Sequence, residues 1–134
     1  MARGPFHLSI ITPERAVLEA DATFVAFPAW DGEVGILKGR APLLYKLGTG
    51  KLRAETAEGE QVFYVDGGFA QMVEDRLTIL TQQAKRRDEI DRAAAERALA
   101  AARDAPAHDE AAVAARQKAI ERARAQLRVA VPAS

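Results

Sequence analysis

The chain has 134 residues, with 19 basic against 19 acidic side chains and no cysteine, room for one ordinary domain or a small domain with an appendage. Zero net charge argues against a general nucleic-acid binder, which needs a clustered positive excess, and the lack of cysteine excludes disulfides and thiolate metal sites. No apolar run approaches the roughly 20 residues that span a bilayer, and the opening Met1-Ala2-Arg3-Gly4-Pro5-Phe6 lacks a signal-peptide core, so membrane association is expected only through partners.

Two physically different parts share the chain. Every glycine and every aromatic residue falls within residues 1–69, whereas residues 88–134 are rich in alanine and have neither. The expected division is a β-rich part over 1–84 and a helical part over 85–134, joined at the positive Lys85-Arg86-Arg87.

In the first part Phe6, Leu8 and Ile10 alternate with His7, Ser9 and Ile11 at the period of a strand. Further strands are expected over 17–19, 23–27, 35–37, 44–47, 51–56, 61–66, 69–73 and 76–81, separated by Glu58-Gly59, Asp66-Gly67-Gly68 and Glu74-Asp75 as turns. Short strands at this spacing predict a sandwich of two sheets. Within it, Gly32, Gly35 and Gly39 allow a tightly folded, charged loop, with Val34, Ile36 and Leu37 on a buried edge and Asp31, Glu33, Lys38 and Arg40 outside. Trp30, at the start of that loop, has two readings, a core side chain or a contact anchor.

The second part opens at Asp88, read as an N-cap with the Asp91 carboxylate reaching back. Helix formers dominate 89–103, Ala105-Pro106-Ala107-His108 interrupts them, and Asp109 caps a second helix to about residue 129. So short a connection predicts an antiparallel hairpin. Its seam is thin: Val113, Ile120 and Leu127 recur on the second helix beside Ala112, Ala119 and Ala123, while the first offers only Ile90 and Leu99. The last helix is basic, with Arg116, Lys118, Arg122, Arg124 and Arg128.

Catalytic chemistry finds little footing. Gly48-Thr49-Gly50-Lys51 fails as a phosphate loop, because Tyr45 and Leu52 stand where that loop needs glycine and a hydroxyl residue. The only serines, Ser9 and Ser134, make no convincing triad with His7 and His108, and two histidines a hundred residues apart make a weak metal site. Asp31 and Glu33 flank a turn glycine and read as solvated or partner-facing.

The run Pro28-Ala29-Trp30-Asp31-Gly32-Glu33-Val34-Gly35-Ile36-Leu37-Lys38-Gly39-Arg40-Ala41-Pro42-Leu43-Leu44, with Leu47-Gly48-Thr49-Gly50-Lys51-Leu52 behind it, resembles the epsilon subunit of the rotary F-type ATP synthase. Val65-Asp66-Gly67-Gly68-Phe69-Ala70, Arg76-Leu77-Thr78-Ile79-Leu80 and the helical tail match the same family in order, with Lys38 in place of its usual proline and Arg40 in place of its histidine. The resemblance implies an α+β protein: a flattened antiparallel β-sandwich of about ten strands followed by a two-helix hairpin. It implies a non-catalytic rotor subunit without cofactor or metal, on the cytoplasmic face of the bacterial plasma membrane rather than in a plastid. The sandwich would bind the gamma subunit of the stalk, and Trp30, Asp31, Glu33, Lys38 and Arg40 would serve the contact with stalk and c-subunit ring. The hairpin would permit turnover when folded down and block ATP hydrolysis when extended, with Arg116, Arg122, Arg124 and Arg128 meeting the alpha and beta subunits.

Some family members carry Ile/Leu-Asp-x-x-Arg-Ala at the start of the first helix. This chain reads Ile90-Asp91-Arg92-Ala93-Ala94-Ala95, so Asp91 matches but Ala94 replaces the arginine; on the second helix Arg122 matches and Gln126 replaces another. Asp91 and Arg122 thus imply at most a weak nucleotide contact. A free-standing ATP sensor is the alternative from the binding-module class, and an enzyme is disfavoured.

Overall fold

The computed structural model describes residues 4–131. Nine strands come first: β1 (Phe6–Ile11), β2 (Ala16–Ala29), β3 (Gly32–Ile36), β4 (Leu43–Lys46), β5 (Thr49–Thr56), β6 (Gly59–Asp66), β7 (Phe69–Val73), β8 (Arg76–Leu80) and β9 (Ala84–Arg86). A 3₁₀ turn (Arg87–Glu89) leads to helices α1 (Arg92–Asp104) and α2 (Glu110–Val129). Hydrogen bonds run through one continuous sheet in the order β4-β7-β8-β1-β2-β5-β6-β9, with β3 paired to β2. The pairs are antiparallel except β1 with β8, which run parallel.

Alternation explains how one sheet becomes a sandwich. Phe6, Leu8 and Ile10 of β1 are buried, as expected, and meet Val25, Phe27, Ile36, Leu52, Phe63, Met72, Leu77 and Ile79 in a single core. Since these residues come from both halves of the sheet, the apolar face of each half must fold onto the other. The 14-residue β2 makes this possible. Its first half pairs with β1 and its second half with β3 and β5, across an irregularity between Ala22 and Phe24. Sequence predicts two strands there; one results because Ala20, Asp21 and Ala22 continue the ladder opposite Leu8, His7 and Phe6.

Two turns carry the backbone cost of the fold. Glu74 and Asp75 both take positive φ (49° and 58°) between β7 and β8, the geometry of a tight hairpin turn. Gly68 has φ +101°, and a Cβ there would lie 1.8 Å from the Leu80 carbonyl oxygen, so only glycine fits.

The positive joint is partly strand. Lys85 and Arg86 pair with Tyr64 and Phe63 on the free edge of β6, and the Arg86 guanidinium lies 5.1 Å from the Phe63 ring centroid while donating to Gln61. Their polarity hides this role from any hydropathy pattern, because an edge ladder needs only backbone groups. Asp88 falls in the 3₁₀ turn, and the N-cap of α1 is Asp91, whose carboxylate accepts from the Ala94 amide at 3.0 Å. At the head of α2, Asp109 caps as expected, accepting from the Ala112 amide at 2.7 Å. The two helices form the hairpin, its buried positions being Ala95, Ala102, Ile120, Ala123, Ala125 and Val129. Val113 and Ala119, expected in the seam, face solvent instead.

Candidate functional site

The charged glycine-rich run forms the β2–β3 hairpin. Ala29 pairs with Gly32, leaving Trp30 and Asp31 as its two turn residues. Trp30 is 70% exposed, which places it outside the core. Its amide donates to the Lys46 carbonyl at 3.0 Å, fastening the turn to the end of β4. Glu33 is exposed next to it, whereas Lys38 and Arg40 lie beyond the other end of β3. A five-residue strand covers about 16 Å, so the sequence-predicted contact residues separate into two patches. The second patch is held by an Arg40 bond to the Gly35 carbonyl and by the Gly39 amide, which donates to the Asp75 carboxylate at 2.8 Å. Leu37, expected on the buried edge, is exposed; Val34 is half-buried and Ile36 buried.

Beside the Trp30 turn lies a surface that sequence reading missed. Leu44 is 68% exposed, Phe69 51% and Leu80 48%. Register makes them one patch: Lys46 pairs with Phe69, Phe69 with Leu80, and Leu44 stands opposite Gln71. The signal was available in the alternation, since Ala70, Met72, Leu77 and Ile79 point into the core and leave their apolar neighbours outside. Clustered apolar side chains on an outer sheet face mark a surface that another protein covers.

A third region joins hairpin to sandwich. The Arg122 guanidinium on α2 bonds the Asp66 carboxylate at the end of β6 (Nε to Oδ2, 2.9 Å). Only 9% of the Asp66 side chain is exposed, against 46% for Arg122, and the Thr49 hydroxyl donates to the other carboxylate oxygen at 2.9 Å. Below this pair, Val62 and Tyr64 pack against Ala125 and Val129, with Ile90 at the margin. Arg87 closes the far end, its Nε donating to the Val129 carbonyl at 2.8 Å, one of the carbonyls a helix terminus leaves without an internal partner. The Tyr64 hydroxyl is sealed; the Gln126 amide is its polar neighbour, but no hydrogen bond closes. Burial, with the nearby Asp66 charge, pushes the Tyr64 pKa up to about 12.

The remaining candidates fall into place around these features. Arg116 donates to the Arg103 carbonyl and ties the two helices together, while Arg124 and Arg128 are exposed. Asp91 and Arg122 are each committed to a different internal partner, the Ala94 amide and Asp66. His7 faces Glu19 at 3.0 Å, a hydrogen bond that lowers the Glu19 pKa, and His108 lies in the interhelical loop. Ser134 lies outside the described residues. Among the described residues no group of three His, Asp or Glu side chains could hold a metal, and no helix is long and apolar enough to cross a membrane.

These features define a class: a folded-sheet sandwich with apolar side chains on its outer face and a helical hairpin clipped to its edge, built for assembly with other proteins. The profile of the ATP synthase delta/epsilon chain β-sandwich domain matches residues 5–87. The ATP synthase epsilon chain of Rhodopirellula baltica is 43% identical over 119 residues, covering 89% of this chain and 93% of that protein. That of a Nostoc species is 38% identical over 127 residues, covering 90% and 93%. The chain belongs to the ATP synthase epsilon family. Its fold matches a chain in the cryo-EM structure of the Euglena gracilis mitochondrial ATP synthase (OSCP/F1/c-ring) with a TM-score of 0.82 at 25% identity, over 96% of this chain and 81% of that one. A chain of the Tetrahymena thermophila mitochondrial ATP synthase central stalk and c-ring shares the fold, with a TM-score of 0.64 at 14% identity over 98% of this chain and all of that one.

Proposed function

We propose that this chain is a non-catalytic rotor subunit that couples the central stalk to the c-subunit ring, and that its hairpin inhibits ATP hydrolysis when it leaves the sandwich. The observation that carries the reading is the exposed Leu44, Phe69 and Leu80 face beside the Trp30 turn, on a sandwich whose family is shown. Torque transfer needs a body that does not deform between its two attachments, and a sheet closed on one core provides it. The apolar face would take the gamma subunit. Trp30, Asp31 and Glu33 would meet the ring, and Lys38 and Arg40 would complete the stalk side. Extension of the hairpin would carry Arg116, Arg122, Arg124 and Arg128 to carboxylates of the alpha and beta subunits. The site of action would be the cytoplasmic face of a bacterial plasma membrane, reached through the complex alone.

The test adds purified chain to ATP synthase depleted of its epsilon subunit and follows hydrolysis together with proton pumping. Restored coupling with slowed hydrolysis is expected. Failure of the chain to associate with the depleted enzyme would sink the rotor reading, and association without any effect on hydrolysis would sink the inhibitory one.

A further inference from the structure

The contacts between hairpin and sandwich do not all favour docking. Asp66 is a carboxylate lodged between β6 and α2 with two partners, the Thr49 hydroxyl from its own sheet and the Arg122 guanidinium from the hairpin. Removing the guanidinium while the helix stays in place would leave a buried charge with one neutral donor, an unfavourable state. Arg122 itself is half exposed and loses little hydration in making the pair. Tyr64 is the opposite case. Its ring fills the small apolar contact with Ala125 and Val129, but its hydroxyl ends in that contact without a hydrogen bond. With the hairpin away, water could reach that hydroxyl; docking removes the water and brings in only the Gln126 side chain of α2, at a geometry that does not close a hydrogen bond.

We propose that Asp66 and Tyr64 form a counterbalanced latch, in which the Asp66–Arg122 pair holds the hairpin against the sandwich and the sealed Tyr64 hydroxyl works to release it. The inference rests on the proposed movement of the hairpin and names the residues that set its equilibrium. The rest of the interface is the apolar contact of Val62, Ala125 and Val129 with the margin of Ile90, the Arg87 bond to the Val129 carbonyl, the Gln126 side chain beside Tyr64, and the passage of α2 over β5. The sealed apolar part of the interface is only four residues, Tyr64 included, so either polar residue can shift the balance between the two positions.

The test uses the full chain. It has no native cysteine to interfere, so Glu58→Cys in the β5–β6 turn and Gln117→Cys on α2, both at exposed positions, accept a donor and acceptor dye whose separation reports docking along a urea series. Tyr64→Phe is expected to raise the ratio of docked to undocked chains about tenfold, moving the undocking midpoint to higher urea. Asp66→Asn, which keeps an acceptor for Thr49, and Arg122→Gln, which leaves the sandwich untouched, are each expected to lower the ratio about tenfold or more. Their double variant should undock near the midpoint of the singles, since both remove one interaction. Midpoints that stay at the parent value, or a Tyr64→Phe chain that undocks earlier, would overturn the latch. Midpoints that move as expected while inhibition of hydrolysis in the reconstituted enzyme stays constant would keep the latch and sink the regulatory role of the hairpin.

Discussion

Arg122 and Asp66, 56 residues apart in the chain, meet at 2.9 Å across the junction of helix and sheet. The pair fixes Arg122 to the sandwich, so under the proposed inhibitory movement docking and engagement of the head compete for this one side chain. Only Nε is used in that bond, so what the docked position would deny the catalytic head is the reach of the helix; a hairpin that engages the head through Arg122, as proposed, must first give up Asp66. The two positions compete, and a ligand or partner shifts them only through its different affinity for each.

The outer face and the Trp30 turn should separate assembly from stability. Trp30→Ala and Leu44→Ser are expected to change the unfolding free energy of the isolated chain by no more than about 0.5 kcal/mol, because both side chains already face water. Trp30→Ala should loosen attachment to the ring, and Leu44→Ser attachment to the stalk. Chemical denaturation of the free variants and co-sedimentation with the depleted enzyme check this. A chain that loses several degrees of melting temperature on Trp30→Ala would show a structural role instead.

The strand at Lys85 and Arg86 decides where the two parts can be cut. A chain ending at Glu89 retains β9 and is expected to fold, join stalk and ring, and restore pumping without inhibition. A chain ending at Ala84 loses the pairing with Tyr64 and Phe63 and the Arg86 contact over the Phe63 ring, so it should unfold at lower urea. Equal midpoints for the two truncations would show that β9 adds nothing to the sandwich. Loss of assembly in the longer one would refute the modular reading.

What sequence showed and what it hid divide along physical lines. Alternation located β1, β5, β7 and β8, because burying one face imposes a period of two on the residues themselves, whereas β6 showed as a continuous apolar run because the core takes one of its faces and the hairpin the other. The same alternation, read for the residues left outside, would have exposed Phe69 and Leu80, which instead passed as ordinary strand hydrophobics. Strand β9 could not be seen, since Lys85 and Arg86 contribute backbone and a cation rather than apolar area. Nor could the Asp66–Arg122 pair: Asp66 reads as part of a turn signal and Arg122 as one cation on a basic helix, and only tertiary contact joins them. The hairpin was visible through its helix formers, the break at Ala105-Pro106 and the Asp109 cap, but the first cap was placed at Asp88 instead of Asp91 and the seam was misjudged, because Val113 follows the heptad yet faces solvent when the contact is carried by alanines.

Alkaline pH should release the hairpin through Tyr64. Its pKa is raised from 10.0 to about 12, chiefly by burial, so the docked state prefers the neutral phenol. The docked state therefore keeps its full stability below pH about 10 and loses it progressively as pH rises through about 12. Asp66 and Arg122 are the charges that face the phenol, one opposing and one favouring its ionisation. The label separation should increase over that window in the parent and change less in Tyr64→Phe. An identical alkaline transition in both chains would exclude the tyrosine as its cause.

Nucleotide should bind the isolated chain weakly or not at all. Phosphates are held by charge-assisted contacts, and here Ala94 and Gln126 stand where arginines would supply them, while Arg122 is occupied by Asp66. Arg92 is one candidate substitute, but it pairs with Glu96 at 3.3 Å, and moving two positions along a helix turns a side chain by about 200°. Calorimetry with ATP is expected to give no heat at micromolar concentrations. Micromolar binding that disappears in Arg122→Ala would instead support a nucleotide sensor.

The exposed arginines offer the cleanest test of the proposed inhibition, because in that proposal Arg122 has two opposing roles. Arg122→Ala frees the hairpin from Asp66 and at the same time removes a cation from the extended helix, so its net effect on hydrolysis mixes both. Arg124 and Arg128 are exposed in the docked state, so replacing both with Ala should leave the undocking midpoint unchanged. If they meet carboxylates of the catalytic head, inhibition should weaken, and because an exposed ion pair contributes at most about 1 kcal/mol, the double variant should exceed either single. Adding Arg116→Ala should weaken it further, at the cost of the bond to the Arg103 carbonyl. Salt should mimic the substitutions in the parent, since the screening length falls to about 8 Å near 0.15 M, and should have less effect on the double variant. Hydrolysis by the reconstituted enzyme, measured at low and high salt for each chain, tests the set. Inhibition that is insensitive to salt and equal in parent and double variant would remove these charges from the mechanism and leave steric insertion of the helix as its cause.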